Sequence, residues 1–291
     1  MNPAKRNRPL YLQFVRTIQN GLDLLDPDIQ TEIRQFTDRQ QHSSGAFTDR
    51  AGNPDCYYSL FGFWLASALN MKSALTRLLD FVLAKEMDVD KKVVDRFALM
   101  LIRHSLSPAK NDSSNLFRML LKKEYRLNFS YQLFLFLLVF DARYGRKGWF
   151  YFLVRLVLRW YQPAAGVPCS ILAALTVARH EVGLKTEKQQ QQLLNFLDGN
   201  KGFKSFAHMA SGDLLSTGVA LYALQQTGYD LRLIAPACFD FVQRQYADGA
   251  FLSGDGDETR DLEYTFYGLL ALGCLAGSKD GEYGAENTGI S

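Results

Sequence analysis

Two carboxyls separated by one residue at the start of an apolar run are the most chemically suggestive feature of this sequence. Asp261-Leu262-Glu263-Tyr264-Thr265 opens a stretch that continues Phe266-Tyr267-Gly268-Leu269-Leu270-Ala271-Leu272. A carboxyl in the first turn of a helix is kept ionised by the free N–H groups there. A neighbour facing an apolar cavity stays protonated near neutral pH. Such a pair can give a proton with one member and stabilise developing positive charge with the other. The expected catalytic residues are therefore Asp261 and Glu263 with Tyr264 beside them, joined by Asp213 and Asp55 from two similar stretches.

Those stretches make a repeating unit. Gly45-Ala46-Phe47 precedes Asp55-Cys56-Tyr57-Tyr58-Ser59-Leu60-Phe61-Gly62. Gly202-Phe203 precedes Asp213-Leu214-Leu215-Ser216-Thr217-Gly218-Val219-Ala220, and Gly249-Ala250-Phe251 precedes Asp261. Each unit is a Gly-Phe loop, then Asp-x-x-x-Ser/Thr, then small and apolar residues, and such recurrence is an architectural signal before it is a chemical one. Every residue in it has a plain structural reading. The three Asp can be helix caps, and the Ser or Thr can bond back to a helix carbonyl. The glycines can serve turns, and Tyr57, Tyr58, Tyr264 and Tyr267 can be core aromatics. His208 reads equally as a surface residue, and His42, His104 and His180 carry no specific signal.

The elements that must position these groups are helices. Apolar spacing and capping signals predict about thirteen of them between Leu10 and Ala276, with Pro27, Asp55, Asp90, Asn128, Pro168, Thr186, Asp213 and Asp261 at or near their starts. No segment alternates as a strand. After the first two, buried and amphipathic helices alternate, and the six buried ones start 35–50 residues apart, one helical hairpin per repeat. The expected fold is all-α, an α/α toroid of six hairpins over residues 10–276, with a disordered tail at 1–9 and a loose one at 277–291. The amphipathic helix from Pro27 to Gln41 would close the ring. In that fold the buried helices run parallel and gather the Asp residues at one mouth of a cavity lined by aromatic, leucine and small residues. Such a cavity suits an apolar ligand with a polar or reactive head. Arg50, Tyr57, Tyr58, Trp64, His208 and Tyr267 are the expected substrate-binding residues.

Composition bounds the alternatives. The chain has 291 residues, 47% hydrophobic and 22% charged, which is ordinary for a globular protein. A net charge of +3 is too small to argue for nucleic acid, and the cluster Lys5-Arg6-Asn7-Arg8 reads as a solvated terminus. Cys56, Cys169, Cys238 and Cys274 lack metal-type spacing and read as reduced thiols of a cytoplasmic protein. No signal-peptide core is evident. Two apolar runs, Phe134 to Phe140 and Trp149 to Tyr161, are too short or too charged to span a membrane and read as buried helices.

The three repeated stretches resemble the protein prenyltransferase β-subunit and squalene cyclase superfamily of terpenoid cyclases. Close likeness covers about a third of the chain, and the helix alternation extends it. The resemblance implies the toroid, an isoprenoid-like substrate and room for a helical partner subunit. It also shows where this chain departs. The prenyltransferase Asp-x-Cys motif meets Asp213-Leu214-Leu215, with Leu215 at the thiolate position, and the Asp-x-x-His-Thr motif meets Asp261-Leu262-Glu263-Tyr264-Thr265, with Tyr264 at the imidazole position. Zinc needs three protein ligands here, so no metal and no cofactor are expected. The cyclase Asp-x-Asp-Asp-Thr motif meets the same Asp261-x-Glu263-Tyr264-Thr265, keeping two carboxyls. The string Asp255-Gly256-Asp257-Glu258 is similar but precedes the helix. The expectation is a zinc-independent enzyme that binds an isoprenoid- or polyketide-like molecule and starts cyclisation or transfer by protonation. The alternative is a noncatalytic toroid that binds a lipid or a protein.

Overall fold

Helix starts follow the capping residues. The Asp55 side chain accepts a hydrogen bond from the Tyr58 amide (2.7 Å), Asp213 from Ser216 (2.7 Å) and Asp261 from Tyr264 (2.8 Å). Each bond satisfies an N–H that a helix leaves free in its first turn. The three helices begin one residue later, at Cys56, Leu214 and Leu262.

The computed structural model describes residues 9–85, 92–107, 129–144, 148–164, 166–199 and 201–276. They are all-α apart from one short hairpin. In chain order the helices are α1 (Leu10–Leu22), α2 (Pro27–Arg39), α3 (Cys56–Ala68), α4 (Lys72–Lys85), α5 (Val93–Leu106) and α6 (Phe129–Tyr144). They continue with α7 (Gly148–Trp160), α8 (Cys169–Glu181), α9 (Glu187–Leu194), α10 (Leu214–Gln226), α11 (Ala235–Gln243) and α12 (Leu262–Ala276). The helix expected over 113–126, the starts at Asp90 and Asn128, and the two tails apart from Pro9 lie outside the described residues. No helix among the described residues is long and apolar enough to cross a membrane.

The core runs through the buried helices. α3 packs on α5, α5 on α6, α6 on α8, α8 on α10 and α10 on α12, and α12 packs back on α3. α4 lies against α3 and α5, α9 against α8, α11 against α12, and α2 against α3. Hydrogen bonds gather helix starts at one end. The Leu214 amide donates to the Ser253 carbonyl in the loop before α12 (2.7 Å), and the Cys169 amide donates to Ser205 in the loop before α10 (2.9 Å). Arg50, from the loop before α3, reaches Asp261.

The repeated unit has a structural explanation. The hydroxyl four residues after each Asp donates to that Asp's carbonyl: Ser59 to Asp55 (2.6 Å), Thr217 to Asp213 (2.7 Å), Thr265 to Asp261 (2.7 Å). The same oxygen accepts the amide of the loop phenylalanine, Phe47 (2.9 Å), Phe203 (2.9 Å) or Phe251 (3.3 Å). All three phenylalanines are buried, and each pairs across a small β-bridge or hairpin with the end of the preceding segment, at Gln41, Leu197 and Tyr246. The loop glycines Gly45, Gly202 and Gly249 hold positive φ of 92°, 73° and 84°.

α1 has no counterpart in the repeats. It packs against α12, α3 and α6. The Leu10 amide donates to the buried Asp141 carboxylate near the end of α6 (2.8 Å), and Phe14 meets Trp64, Tyr222 and Phe266. Where α1 crosses α12, a Cβ at Gly273 would overlap the Thr17 carbonyl oxygen, so the two backbones touch.

Four expectations are corrected. Tyr246–Ala247 and Ala250–Phe251 form an antiparallel hairpin, where no strand was expected. Two residues a side carry no alternation, but Asp248-Gly249 between them, both at positive φ, is the turn signal that marks it. The helix expected from Leu231 to Tyr246 is split into a 3-10 turn (Leu231–Leu233) and α11, because Pro236 fits only the first turn of a helix. Thr186 makes no side-chain cap bond, and α9 ends at Leu194 rather than Leu197. Of the run from Trp149 to Tyr161, expected to be buried, Val154 and Leu158 are the only ones among the described side chains turned fully into the core; Leu135 to Phe140 are buried as expected.

Candidate active site

The start of α12 is where the charged groups meet. Asp261 is 2% exposed. One oxygen caps the helix, and Oδ2 accepts from Arg50 Nε at 2.6 Å. Arg50 also reaches Asp257 through Nη1 (2.7 Å), and its guanidinium lies 5.3 Å from the centre of the Tyr264 ring. Arg50 stands at the tip of a loop folded around Asp49, whose carboxylate accepts the amides of Ala51 (2.9 Å) and Asn53 (2.8 Å). The loop thereby ties the first repeat to the last, 211 residues away.

Glu263, two residues on, takes a different partner. The Tyr57 hydroxyl, from the first turn of α3, donates to its Oε1 at 2.8 Å. Glu263 keeps a little exposed surface but is enclosed by protein, and burial pushes its carboxyl up to about 7. The Tyr57 bond opposes that rise, the Asp261 charge adds to it, and Arg50 opposes it again. Burial raises Asp261 as well, against the Tyr264 amide and Arg50. Arg50 is itself raised: burial lowers it, but the hydrogen bond and charge of Asp261 outweigh that. Tyr58 and Tyr264 are pushed up to about 12, by burial first and then by nearby carboxylates, so both remain neutral phenols at ordinary pH.

Below this cluster lies a cavity of about 140 Å³. Tyr57, Phe61 and Trp64 of α3 line one side, and Phe266, Tyr267 and Leu270 of α12 the next. Leu215, Val219 and Tyr222 of α10, with Ala173 and Val177 of α8 and Leu138 of α6, complete the wall; Phe14 of α1 closes it. The aromatic rings pack edge to face or stacked, as at Phe61–Phe266 (5.3 Å) and Trp64–Phe266 (4.9 Å). Two polar atoms of the wall, Trp64 Nε1 and Tyr222 Oη, are buried with no hydrogen-bond partner among the described residues.

The structure thus joins Arg50, Tyr57, Tyr58, Asp261, Glu263 and Tyr264, with Trp64 and Tyr267 in the wall below. Asp55 and Asp213 cap their own helices, Asp55 through the Tyr58 amide and Asp213 through the Ser216 amide. Burial raises Asp213, and its Oδ2 is buried without a hydrogen-bond partner among the described residues. His208 is exposed beside Phe206 and lines no part of the cavity. Among the described residues, no three His, Cys, Asp or Glu side chains are grouped to hold a metal ion. Asp257 was missed as a partner of Arg50, although the acidic string around it was the available signal. Phe14 and Tyr222 carried no signal, because their roles arise only from packing. No family model, curated protein or solved structure matches this chain.

Proposed function

We propose that the chain is an α/α toroid whose central cavity binds an apolar, isoprenoid- or polyketide-like molecule, and that Glu263 protonates it to start cyclisation or transfer. The supporting observation is the placement of Glu263. Its carboxyl is raised to about 7 and is bonded to Tyr57, whose side chain lines the cavity. The cyclic order of helix contacts supports the toroid.

In this reading the Glu263 carboxyl proton passes to an alkene carbon or an oxygen of the substrate, and Glu263 is left as a carboxylate. The positive charge that develops faces Phe61, Trp64, Phe266 and Tyr267, whose ring faces attract cations. Arg50 and Asp261 neutralise each other, so Asp261 holds the Arg50 loop over the mouth without drawing the cation out. Loss of a proton from the product cation back to Glu263 restores the acid. A cavity of about 150 Å³ takes up a benzene-sized molecule, so this one as it stands holds a ring or a single branched five-carbon unit. A longer chain would extend through the mouth. The free donors of Trp64 and Tyr222 favour a ligand that carries an oxygen.

The test is mass spectrometry of lipid-like molecules that copurify with the chain, followed by turnover of the compound found. Glu263→Gln is expected to reduce turnover by roughly 100-fold or more while still binding the compound. Unchanged turnover would overturn the acid role. A noncatalytic toroid is the second reading, and the insertion of Phe14 from α1 into the cavity wall favours it. Binding without turnover in wild type and variant alike would select it.

A further inference from the structure

Helix α7 turns its apolar side outward. Val154 and Leu158 are buried against the core, and two bonds fix the helix there: Tyr151 Oη to Asp141 (3.0 Å) and Arg179 Nη1 to the Leu158 carbonyl (2.6 Å). The opposite face carries Trp149, Phe152, Leu153, Leu156, Val157 and Trp160, each 50–76% exposed. At 3.6 residues per turn these six fall on one arc of roughly 140°. An outer helix wetted only by water places charge on that arc. Here Arg155 and Arg159 stand at its flank instead, both exposed, with the Arg159 guanidinium 5.9 Å from the Trp160 ring centre.

Three features say what covers this face. A tryptophan stands at each end of the stripe, and tryptophan suits the boundary between water and hydrocarbon. The charges are of one sign: from 142 to 180 the sequence has no Asp or Glu, yet it carries Arg143, Arg146, Lys147, Arg155, Arg159 and Arg179. Long basic side chains beside an apolar stripe can bury their stems and keep their charges among anionic headgroups. The helix is also short. Its 13 residues make about 20 Å, less than the ~30 Å hydrocarbon layer, so it can lie in the surface and not cross it.

We propose that α7 is an interfacial helix that docks this chain on an anionic lipid surface. It requires no catalysis and stands whether or not the cavity is an active site.

The test is co-sedimentation of the full chain with phosphatidylcholine vesicles, with and without phosphatidylglycerol, at low and high salt. Binding is expected on the anionic vesicles, weakened by salt and weaker on phosphatidylcholine alone. The double variant Phe152→Ser, Leu156→Ser changes two exposed side chains. It is expected to keep the wild-type circular dichroism and melting temperature and to lose at least tenfold in vesicle affinity. Wild-type chain left in the supernatant with anionic vesicles would overturn the proposal. So would a correctly folded double variant that binds as wild type. A Leu153→Cys chain that crosslinks to itself in dilute solution without lipid would assign the face to a second copy and overturn it as well.

Discussion

At the scale of single residues, Asp261 and Glu263 share a helix end but not a chemical situation. Asp261 is buried, capping and paired with Arg50; Glu263 is enclosed, next to a carboxylate, and bonded to the Tyr57 hydroxyl. The difference has a consequence for stability. Between about pH 4.5 and 7 native Glu263 holds a proton that the unfolded chain has released, so unfolding releases a proton and stability falls as pH rises. At most the loss is roughly 3–4 kcal/mol. Thermal melting of wild type and Glu263→Gln from about pH 4 to 8 should show nearly equal stability at the acid end and a more stable variant at the alkaline end. Parallel curves would mean that Glu263 is not raised.

The carboxyl pair and the tyrosines were legible from residue type and spacing, because a helix start fixes where such side chains go. Arg50 was visible only as a candidate ligand contact. Its pairing with Asp261 spans 211 residues, and no local pattern encodes a contact of that range.

At the scale of elements, the unit Gly-Phe, Asp, Ser/Thr is a device for joining a loop to a helix. One hydroxyl serves the helix carbonyl and the loop amide together, which fixes the phenylalanine under the helix. Thr217→Val keeps the branched shape and removes both bonds. The Phe203 amide then stays buried without a partner, so a loss of about 1–3 kcal/mol is expected in chemical denaturation, with faster hydrogen exchange at that amide. No change in either measurement would show that the hydroxyl is dispensable. The sequence made this unit visible as a repeat and gave the right start for all three helices, since the cap residue and its distance from the hydroxyl are local. It also suggested active-site roles for Asp55 and Asp213, whose side chains the structure uses as caps. α7 misled for a related reason: apolar residues on every face read as burial, and periodicity does not say whether the far side meets protein, lipid or water.

At the scale of the molecule, the all-α class of the described residues followed from apolar spacing. The place of α1 did not, because it depends on two glycine-bearing helices meeting at one crossing. Gly273→Ala tests that crossing by the sign of its effect. In an isolated helix the change stabilises by about 0.5–1 kcal/mol. Here the new methyl meets the Thr17 backbone, and a net loss of about 1–3 kcal/mol is expected in denaturant unfolding. A gain would place α1 further from α12.

The proposed chemistry requires a carboxylic acid that still holds its proton in part at neutral pH and is bonded to a residue of the cavity wall. Carbon-13 NMR titration of the glutamate side-chain carboxyls measures this directly, with the Glu263 resonance assigned by its loss in Glu263→Gln. The midpoint expected for that resonance is about 7. A midpoint near the ordinary glutamate value of about 4.3 would leave Glu263 ionised at neutral pH and contradict its role as the acid.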